Sequence, residues 1–339
     1  MNNYIFNITK FVNYKKTDLI NNKIHSQTKI KIIFNEKIIE FIYNYIKSKN
    51  TGRIYYLNCE ESGRKLTDEE IIPLVNLETL KCRINEKFTD NILLNLKQLR
   101  KLYCGLNNNF TDNALSKLTQ LRSLDCGWNK NFTDNALTNL TQLQILDCGH
   151  NEFFTDNILS KLTQLKILYC GLNNNFTDNS LIKLIELREL DCGCNENFTN
   201  NLLLKLTNLQ KLCCGYNNKF TDEGILKLTQ LQILYCGRNN NFTDEGILKL
   251  TQLQKLDCDS NKNFTNKGIS KLTNLTHIYC GGNNNFTDEG ISKLTNLAYL
   301  SCGWNKNFTN DGISKLTNLV RLHCGYNNNL TRLMYEFCE

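Results

Sequence analysis

The most constraining feature of this chain is a 22-residue unit that recurs without insertion or deletion from Phe88 to Leu330. Residues 242–263 show the unit in full, FTDEGILKLTQLQKLDCDSNKN. We number its positions as columns, starting with the phenylalanine at column 1. A fixed period of this length predicts stacked copies of one small unit, as in a solenoid or a propeller.

The columns indicate what each copy folds into. Column 1 is Phe eleven times, columns 17 and 20 are Cys and Asn twelve times each, and column 2 is Thr throughout. Columns 12, 15 and 17 read Leu-x-x-Leu-x-Cys, and the last two side chains, two apart, both face inward from a short strand. Thr at column 2 before an acidic residue signals a short helix, from which columns 6 and 9 face inward. Asn at column 20 is expected to bond backbone in a buried turn, because leaving it unpaired would cost about 1–3 kcal/mol.

These residues resemble the leucine-rich repeat family. The segment Leu-x-x-Leu-x-Cys-x-x-Asn stands where that family has Leu-x-x-Leu-x-Leu-x-x-Asn, and the FTDEGI opening is similar to the helical half of its cysteine-containing and related subclasses. The resemblance implies an α/β fold, a leucine-rich-repeat solenoid curved like a horseshoe, with parallel strands on the concave side and short helices on the convex side. The excess of Asn, Lys and Ile also resembles uncharacterised leucine-rich repeat proteins of giant amoeba-infecting DNA viruses.

Four segments are predicted along the chain. Residues 1–35 form a basic amino-terminal segment with a strand at 28–34, and residues 36–65 form a capping helix and a degenerate first repeat. Residues 66–329 are tandem repeats, and residues 330–339 form a helix that closes the last coil. The length alone would suggest two domains, but the unbroken repeat predicts one elongated domain.

Cysteine usage indicates a reducing environment. Twelve of the sixteen cysteines fall in one inward column, where stacked parallel side chains give poor disulfide geometry. Eight Asn-Phe-Thr sequons on successive coils would crowd any attached glycans. The first residues show no secretory signal, and no apolar run approaches the roughly 18 residues that span a membrane. We therefore expect a cytoplasmic protein, of a cell or of an infected host, without membrane contact and without a cofactor.

The outward side chains of the strands form the candidate site. Columns 14, 16 and 18 point away from the core, and columns 13 and 19 lie beside them. Column 16 is rich in tyrosine and aspartate, and the glycine at column 18 would leave room for a ligand to approach the backbone. Exposed aromatics beside carboxylates are typical of protein-binding surfaces, although both residue types also simply suit an exposed strand. The resemblance implies a partner on this concave face, with predicted binding residues Tyr103, Asp125, Asp147, Tyr169, Asp191, Tyr235, Asp257, Tyr279, Trp128 and Trp304.

Two groups of residues raise the question of a metal site. Asp125 and Asp147 should lie one above the other and could hold a cation, but nothing else converges on them to complete a ligand set. Four cysteines have a zinc-like spacing, yet their columns place two inward and two outward: Cys192, Cys194, Cys213 and Cys214. We expect no metal.

Two arrangements could suggest an enzyme. Cys213 is an outward thiol with Lys211 beside it, but no histidine is placed to act as its base. Ser301 and His323 occupy adjacent coils as a nucleophile and base would, and a hydrolase is the remote alternative; no coil supplies the third, acidic member. We expect a scaffold without catalytic activity.

Basic residues leave a nucleic-acid partner as the alternative. Residues 1–65 hold twelve Lys or Arg and five Asp or Glu, and could meet nucleic acid or an acidic surface. Lysine also fills column 8 nine times, but acid–base pairs four residues apart, such as Glu223 and Lys227, would neutralise that stripe. A protein partner is therefore favoured over nucleic acid.

Overall fold

The computed structural model describes residues 30–33, 54–60, 65–325, 327 and 329–330. The chain is divided into two compact units, Met1–Phe154 (unit 1) and Thr155–Glu339 (unit 2). Most of the predicted basic segment, the amino-terminal capping helix and nearly all of the carboxyl-terminal one lie outside the described residues.

The described part of unit 1 alternates strands with single-turn helices. Its strands pair in parallel and in chain order: β1 (Ile30–Ile33), β2 (Ile54–Asn58), β3 (Thr79–Lys81), β4 (Lys101–Tyr103), β5 (Ser123–Asp125) and β6 (Ile145–Asp147). Its helices are α1 (Asp68–Ile71), α2 (Asp90–Asn95), α3 (Asp112–Leu115) and α4 (Asp134–Leu137). β1 falls within the strand predicted at 28–34, and β2 falls within the predicted degenerate repeat.

The described part of unit 2 repeats the same pattern. Its strands, again parallel and in chain order, are β7 (Ile167–Tyr169), β8 (Glu189–Asp191), β9 (Lys211–Cys213), β10 (Ile233–Tyr235), β11 (Lys255–Asp257), β12 (His277–Tyr279), β13 (Tyr299–Ser301) and β14 (Arg321–His323). Its helices are α5 (Asp156–Leu159), α6 (Asp178–Leu181), α7 (Asn200–Leu203), α8 (Asp222–Ile225), α9 (Asp244–Ile247), α10 (Asn266–Ile269), α11 (Asp288–Ile291) and α12 (Asn310–Ser314).

The inward columns form the core of each unit, and the predicted leucine-rich-repeat solenoid is confirmed. Phe110, Leu124 and Cys126 are 0% exposed, and the same columns are buried in the other coils. One detail differs from the prediction. Helix α3 ends at column 6, so Leu118 at column 9 packs inward from the turn after the helix. The helix is limited to one turn because the residues after it in each 22-residue unit are needed to connect it to the next strand.

The asparagines of column 20 form the predicted buried ladder. The Asn217 Nδ2 donates to the carbonyl oxygen of Asn195 at 2.7 Å and to that of Phe198 at 3.3 Å, both in the preceding coil. Its Oδ1 accepts the backbone N–H groups of Lys219 at 2.8 Å and Phe220 at 3.2 Å. The amide therefore closes its own turn and binds the coil before it.

A second ladder joins columns 2 and 3, and the sequence pattern did not predict it. The Asp222 carboxylate accepts the backbone N–H of Thr243 at 2.9 Å and its Oγ–H at 2.6 Å, in the following coil. Thr243 Oγ in turn accepts the N–H of Glu245 at 3.3 Å, which is the predicted helix cap. The acidic residue after the threonine is therefore more than a helix-start signal, because it fixes the next coil as well.

The cysteines of column 17 and the asparagines of the Asn-Phe-Thr sequons also form hydrogen bonds to neighbouring coils. The Cys258 Sγ–H donates to the Tyr279 carbonyl oxygen at 3.3 Å, and burial raises the pKa of this thiol well above its ordinary value. The Asn263 Nδ2, which a glycan would occupy in the sequon, donates to the Asn240 carbonyl oxygen at 2.5 Å. Both columns therefore contribute to the stacking of coils.

Candidate functional site: the exposed face of the strands

Successive side chains of each strand alternate between the core and the exposed face. In β7, Leu168 is buried, whereas Ile167 and Tyr169 on either side are partly exposed. We use strand face for the side chains at columns 14, 16, 18 and 19 of each unit. Because the strands pair column on column, equivalent residues of neighbouring coils lie side by side on this face.

In unit 1, two predicted site residues are already engaged by cations of the chain. The Arg83 guanidinium forms an ion pair with the Asp125 carboxylate, whose residue is only 6% exposed. The Lys81 Nζ lies 4.8 Å from the centroid of the Tyr103 ring. Asp147 lies beside Asp125 in register, as predicted, and Arg83 compensates the Asp125 charge.

The aromatics of column 19 stand in a strained turn. Trp128 and Trp304 are 51% and 62% exposed and have φ angles of 62° and 60°. This left-handed backbone costs a residue with a Cβ about 1 kcal/mol, and Gly282 shows that the same column accepts glycine. The Trp128 ring stacks on His150 with 3.5 Å between ring centroids, so the exposed indole has a fixed orientation.

In unit 2, Tyr169 belongs to a three-residue polar cluster. Its hydroxyl donates to the Glu189 carboxylate at 3.1 Å. The Lys211 Nζ lies 3.6 Å from that carboxylate and 5.3 Å from the centroid of the tyrosine ring. Burial raises the pKa of the neighbouring Asp191, while an N–H from Gly193 and the charge of Lys211 lower it.

Further along unit 2, aromatic rings contact one another from coil to coil. The Tyr235 and Tyr279 centroids are 6.4 Å apart with their planes at 85°, and the Tyr279 and Tyr299 centroids are 5.0 Å apart. The ring of His277 stacks on Tyr299 at 5.7 Å. Asp257 lies in register between Tyr235 and Tyr279. The result is an aromatic surface that encloses one carboxylate.

Sequence reasoning placed column 14 on the same face as column 16 but named no binding residue in it. Four of the contact-forming residues above come from this column: Glu189, Lys211, His277 and Tyr299. The glycines of column 18 lie close to the next coil at several positions. A Cβ on Gly105 would lie 3.0 Å from the Gly127 carbonyl oxygen, so the packing of coils favours glycine there.

The four cysteines considered for a zinc site are divided between the core and the exposed face. Cys192 and Cys214 are buried while Cys194 and Cys213 are partly exposed, as the columns predicted. Burial, followed by the Asp191 charge, raises the pKa of Cys213 to about 12, which leaves it a protonated thiol at neutral pH. No cluster of three or more metal-ligating side chains occurs among the described residues.

The two remaining groups of residues are the Ser301–His323 pair and the lysines of column 8. Ser301 and His323 are register partners on β13 and β14, as predicted. The lysines of column 8 are expected from the sequence to pair with acidic residues four positions earlier on the same helix. This geometry is wrong for Lys227, because helix α8 ends at Ile225. Ion pairs on the helix side join coils instead, as between Lys267 and Glu245 at 2.7 Å.

The comparisons with known proteins agree with this architecture. A family model described as leucine rich repeats (2 copies) matches residues 207–249. An internalin (inlF) structure from Listeria monocytogenes is 28% identical, with a TM-score of 0.61 and 80% of each chain covered. An LRR protein structure from Leptospira interrogans is 26% identical, with a TM-score of 0.59, 89% of this chain and 79% of that chain covered. No curated protein matches this chain.

These similarities bear on function only at a general level. Leucine-rich repeat folds are commonly protein-interaction scaffolds and are generally not enzymes. The internalin and the Leptospira protein are both bacterial, and the resemblance to proteins of giant viruses stays a prediction. Within the described part of the chain, no helix combines the length and apolar content needed to cross a bilayer.

Proposed function

We propose that this chain, which carries leucine-rich repeats, is a scaffold without catalytic activity that binds a protein partner on its strand face. The proposed contact residues are the tyrosines, aspartates and tryptophans that point away from the core: Tyr103, Asp125, Asp147, Tyr169, Asp191, Tyr235, Asp257, Tyr279, Trp128 and Trp304. We further propose that it acts in the cytoplasm of a cell or an infected host, where its buried thiols would stay reduced.

The observation that carries the proposal is the aromatic and carboxylate surface of unit 2. Its rings are held at 5.0 to 6.4 Å from one another by neighbouring coils, so they lose little conformational entropy when a partner docks. Large aromatic side chains of this kind dominate the binding energy of protein interfaces. The buried ladders behind the strands keep the surface preorganised.

Capture of a partner by the full chain tests the proposal. A variant carrying Tyr169→Ala, Asp191→Ala and Tyr235→Ala should no longer retain proteins from a lysate of the expressing cells, as read by quantitative mass spectrometry. The matched control carries Lys227→Ala and Lys249→Ala on the opposite side of the same unit and should retain them fully. Equal retention by the two variants would place the partner elsewhere and refute the proposal.

The alternative of a nucleic-acid partner rests on residues 1–65, most of which lie outside the described residues. Deletion of residues 1–30 with loss of a salt-sensitive retention of RNA or DNA would support it.

A further inference from the structure

The strand face carries one arrangement three times: a tyrosine in column 16 of one strand, followed by an aspartate in column 16 of the next strand. The pairs are Tyr103 with Asp125, Tyr169 with Asp191, and Tyr235 with Asp257. Because the repeat has no insertions, the three copies differ only in their side chains and not in backbone register. Their surroundings can therefore be compared column by column.

In the first copy, the chain supplies its own cations from the strand before the tyrosine. Lys81, at column 16, places its Nζ 4.8 Å from the Tyr103 centroid, and Arg83, at column 18, pairs with the Asp125 carboxylate. A cationic side chain therefore lies near the tyrosine ring, and another pairs with the carboxylate. A cation over a tyrosine face is attracted by the ring quadrupole, and an arginine on a carboxylate forms a charge-assisted hydrogen bond.

The second copy takes its cation from the strand after the aspartate. Lys211, at column 14 of β9, lies 5.3 Å from the Tyr169 centroid. Its charge lowers the pKa of the half-buried Asp191, against the larger effect of burial. In these two copies, the chain therefore supplies a cation to the pair, from opposite sides.

In the third copy, no cation among the described residues pairs with the carboxylate or lies over the Tyr235 ring. On the strand before Tyr235, Cys213 and Gly215 stand in the columns that Lys81 and Arg83 occupy in the first copy.

On the strand after Asp257, His277 stands in the column of Lys211. Burial and then the Lys255 charge lower the pKa of that histidine, which disfavours its cationic form. Asp257 forms no ion pair with any described residue.

The two rings in register on either side of Asp257 nonetheless approach one another. Tyr235 and Tyr279 are two coils apart, which is about 9.6 Å at the usual strand spacing, yet their centroids are only 6.4 Å apart. Both rings therefore lean towards Asp257 between them. Burial raises the pKa of Asp257, and its Oδ1 accepts the Asp259 N–H at 3.0 Å. A half-buried carboxylate next to aromatic faces is a site for a cation that the chain does not provide.

We propose that Tyr235, Asp257 and Tyr279 hold an arginine side chain of the protein partner. A guanidinium has a flat face that stacks on a tyrosine ring and an edge that pairs with a carboxylate, so one group satisfies both features. Arginine is also the residue that the chain itself places on the carboxylate of the first copy. The inference rests on the proposed function, because the arginine belongs to the partner of the strand face.

The probe is a displayed library of random 12-residue peptides, selected against the full chain. Selected peptides should contain arginine, and replacing that arginine with alanine should weaken binding about tenfold or more, with lysine intermediate. Asp257→Asn should weaken them by a similar factor, because it removes the charge while keeping the shape. Asp311→Asn, the same substitution at an exposed residue of helix α12 outside the strand face, is the matched control and should change affinity less than about twofold.

A second variant keeps every residue of the site. Cys213→Lys places an ammonium where the first copy has Lys81, so it should fill the site from within and block arginine peptides while the fold is retained. Selected peptides without arginine, or undiminished binding to Asp257→Asn or Cys213→Lys, would overturn the inference. If peptides bind the strand face without needing arginine, the proposed scaffold function survives; if none binds that face, both proposals fail.

Discussion

The asparagine ladder leads to a sharp prediction at Asn261, which is 0% exposed. Its Nδ2 donates to the carbonyl oxygens of Asn239 at 2.6 Å and Phe242 at 3.2 Å. Its Oδ1 accepts the N–H groups of Asn263 at 2.8 Å and Phe264 at 3.1 Å. Replacing Asn261 with alanine removes all four bonds at once and offers the backbone no substitute.

The cost follows from what is left unpaired. The residues Asn239, Phe242 and Phe264 are 0% exposed, so three of the four backbone groups lose their partner away from water. An unpaired buried polar group costs about 1–3 kcal/mol. A carbonyl oxygen that still accepts a second hydrogen bond costs an amount near the lower limit of this range. Summed over the three buried groups, we expect Asn261→Ala to lower the free energy of unfolding by about 3–6 kcal/mol. That is a large part of the stability of a typical protein.

The matched control is Asn263→Ala, two residues further along the same turn. Asn263 is exposed, and its Nδ2 makes one bond, to the Asn240 carbonyl oxygen, so its loss should cost about 1 kcal/mol or less. Urea unfolding followed by circular dichroism measures both variants. Amide hydrogen exchange should be fastest near Phe264, because each coil contacts only its neighbours. Unfolding free energies within about 0.5 kcal/mol of each other would refute the reasoning.

Three further predictions concern thiols, glycines and pH. Brief treatment of the native protein with a thiol reagent should modify the partly exposed Cys194 but not the buried Cys258, as read by peptide mapping; rapid modification of Cys258 would contradict the buried column. Gly312→Ala should destabilise the chain, because its Cβ would lie 2.0 Å from a carboxylate oxygen of the preceding coil, whereas Gly325→Ala has nothing within 4 Å and should be neutral; similar melting temperatures would count against the close packing. Burial raises the pKa of Asp257 above 3.8, so the folded chain binds more protons than the unfolded chain just above that pH, and stability falls as pH rises through this window. Asp257→Asn should therefore gain stability relative to the parent at pH 7 but not at pH 3.5, and an equal difference at both values would disprove it.

The period of the sequence was enough to predict which side chains are buried. Leu124 and Cys126 differ by two positions in a strand and therefore share the inward face, whatever the neighbouring coils contain. The buried turn amide at Asn217 was predictable for a similar reason, since a buried polar side chain that recurs in each coil must find partners.

The contacts on the strand face were less predictable, because they depend on where long side chains reach across coils. Arg83 spans two coils to meet Asp125, and the single-sequence pattern contains no signal for that reach. The lean of Tyr235 towards Tyr279 depends equally on the space left by the smaller residue between them. The hydrogen bond between Asp222 and Thr243 was not predicted from the sequence, because each residue already had a local role at the start of its own helix.

The asparagine ladder has a direction, and the second ladder has the same direction in the coils where column 3 is aspartate. Asn217 donates to the coil before it, and Thr243 likewise donates to Asp222 of the coil before it. A coil leaving the ribosome thus meets acceptors that are already in place on its predecessor, and does not wait for its successor to complete these bonds. The same polarity means that a duplicated unit, spliced in whole, inherits a complete set of partners on both sides. A gene of this design can lengthen its product one turn at a time without disturbing the turns it already encodes.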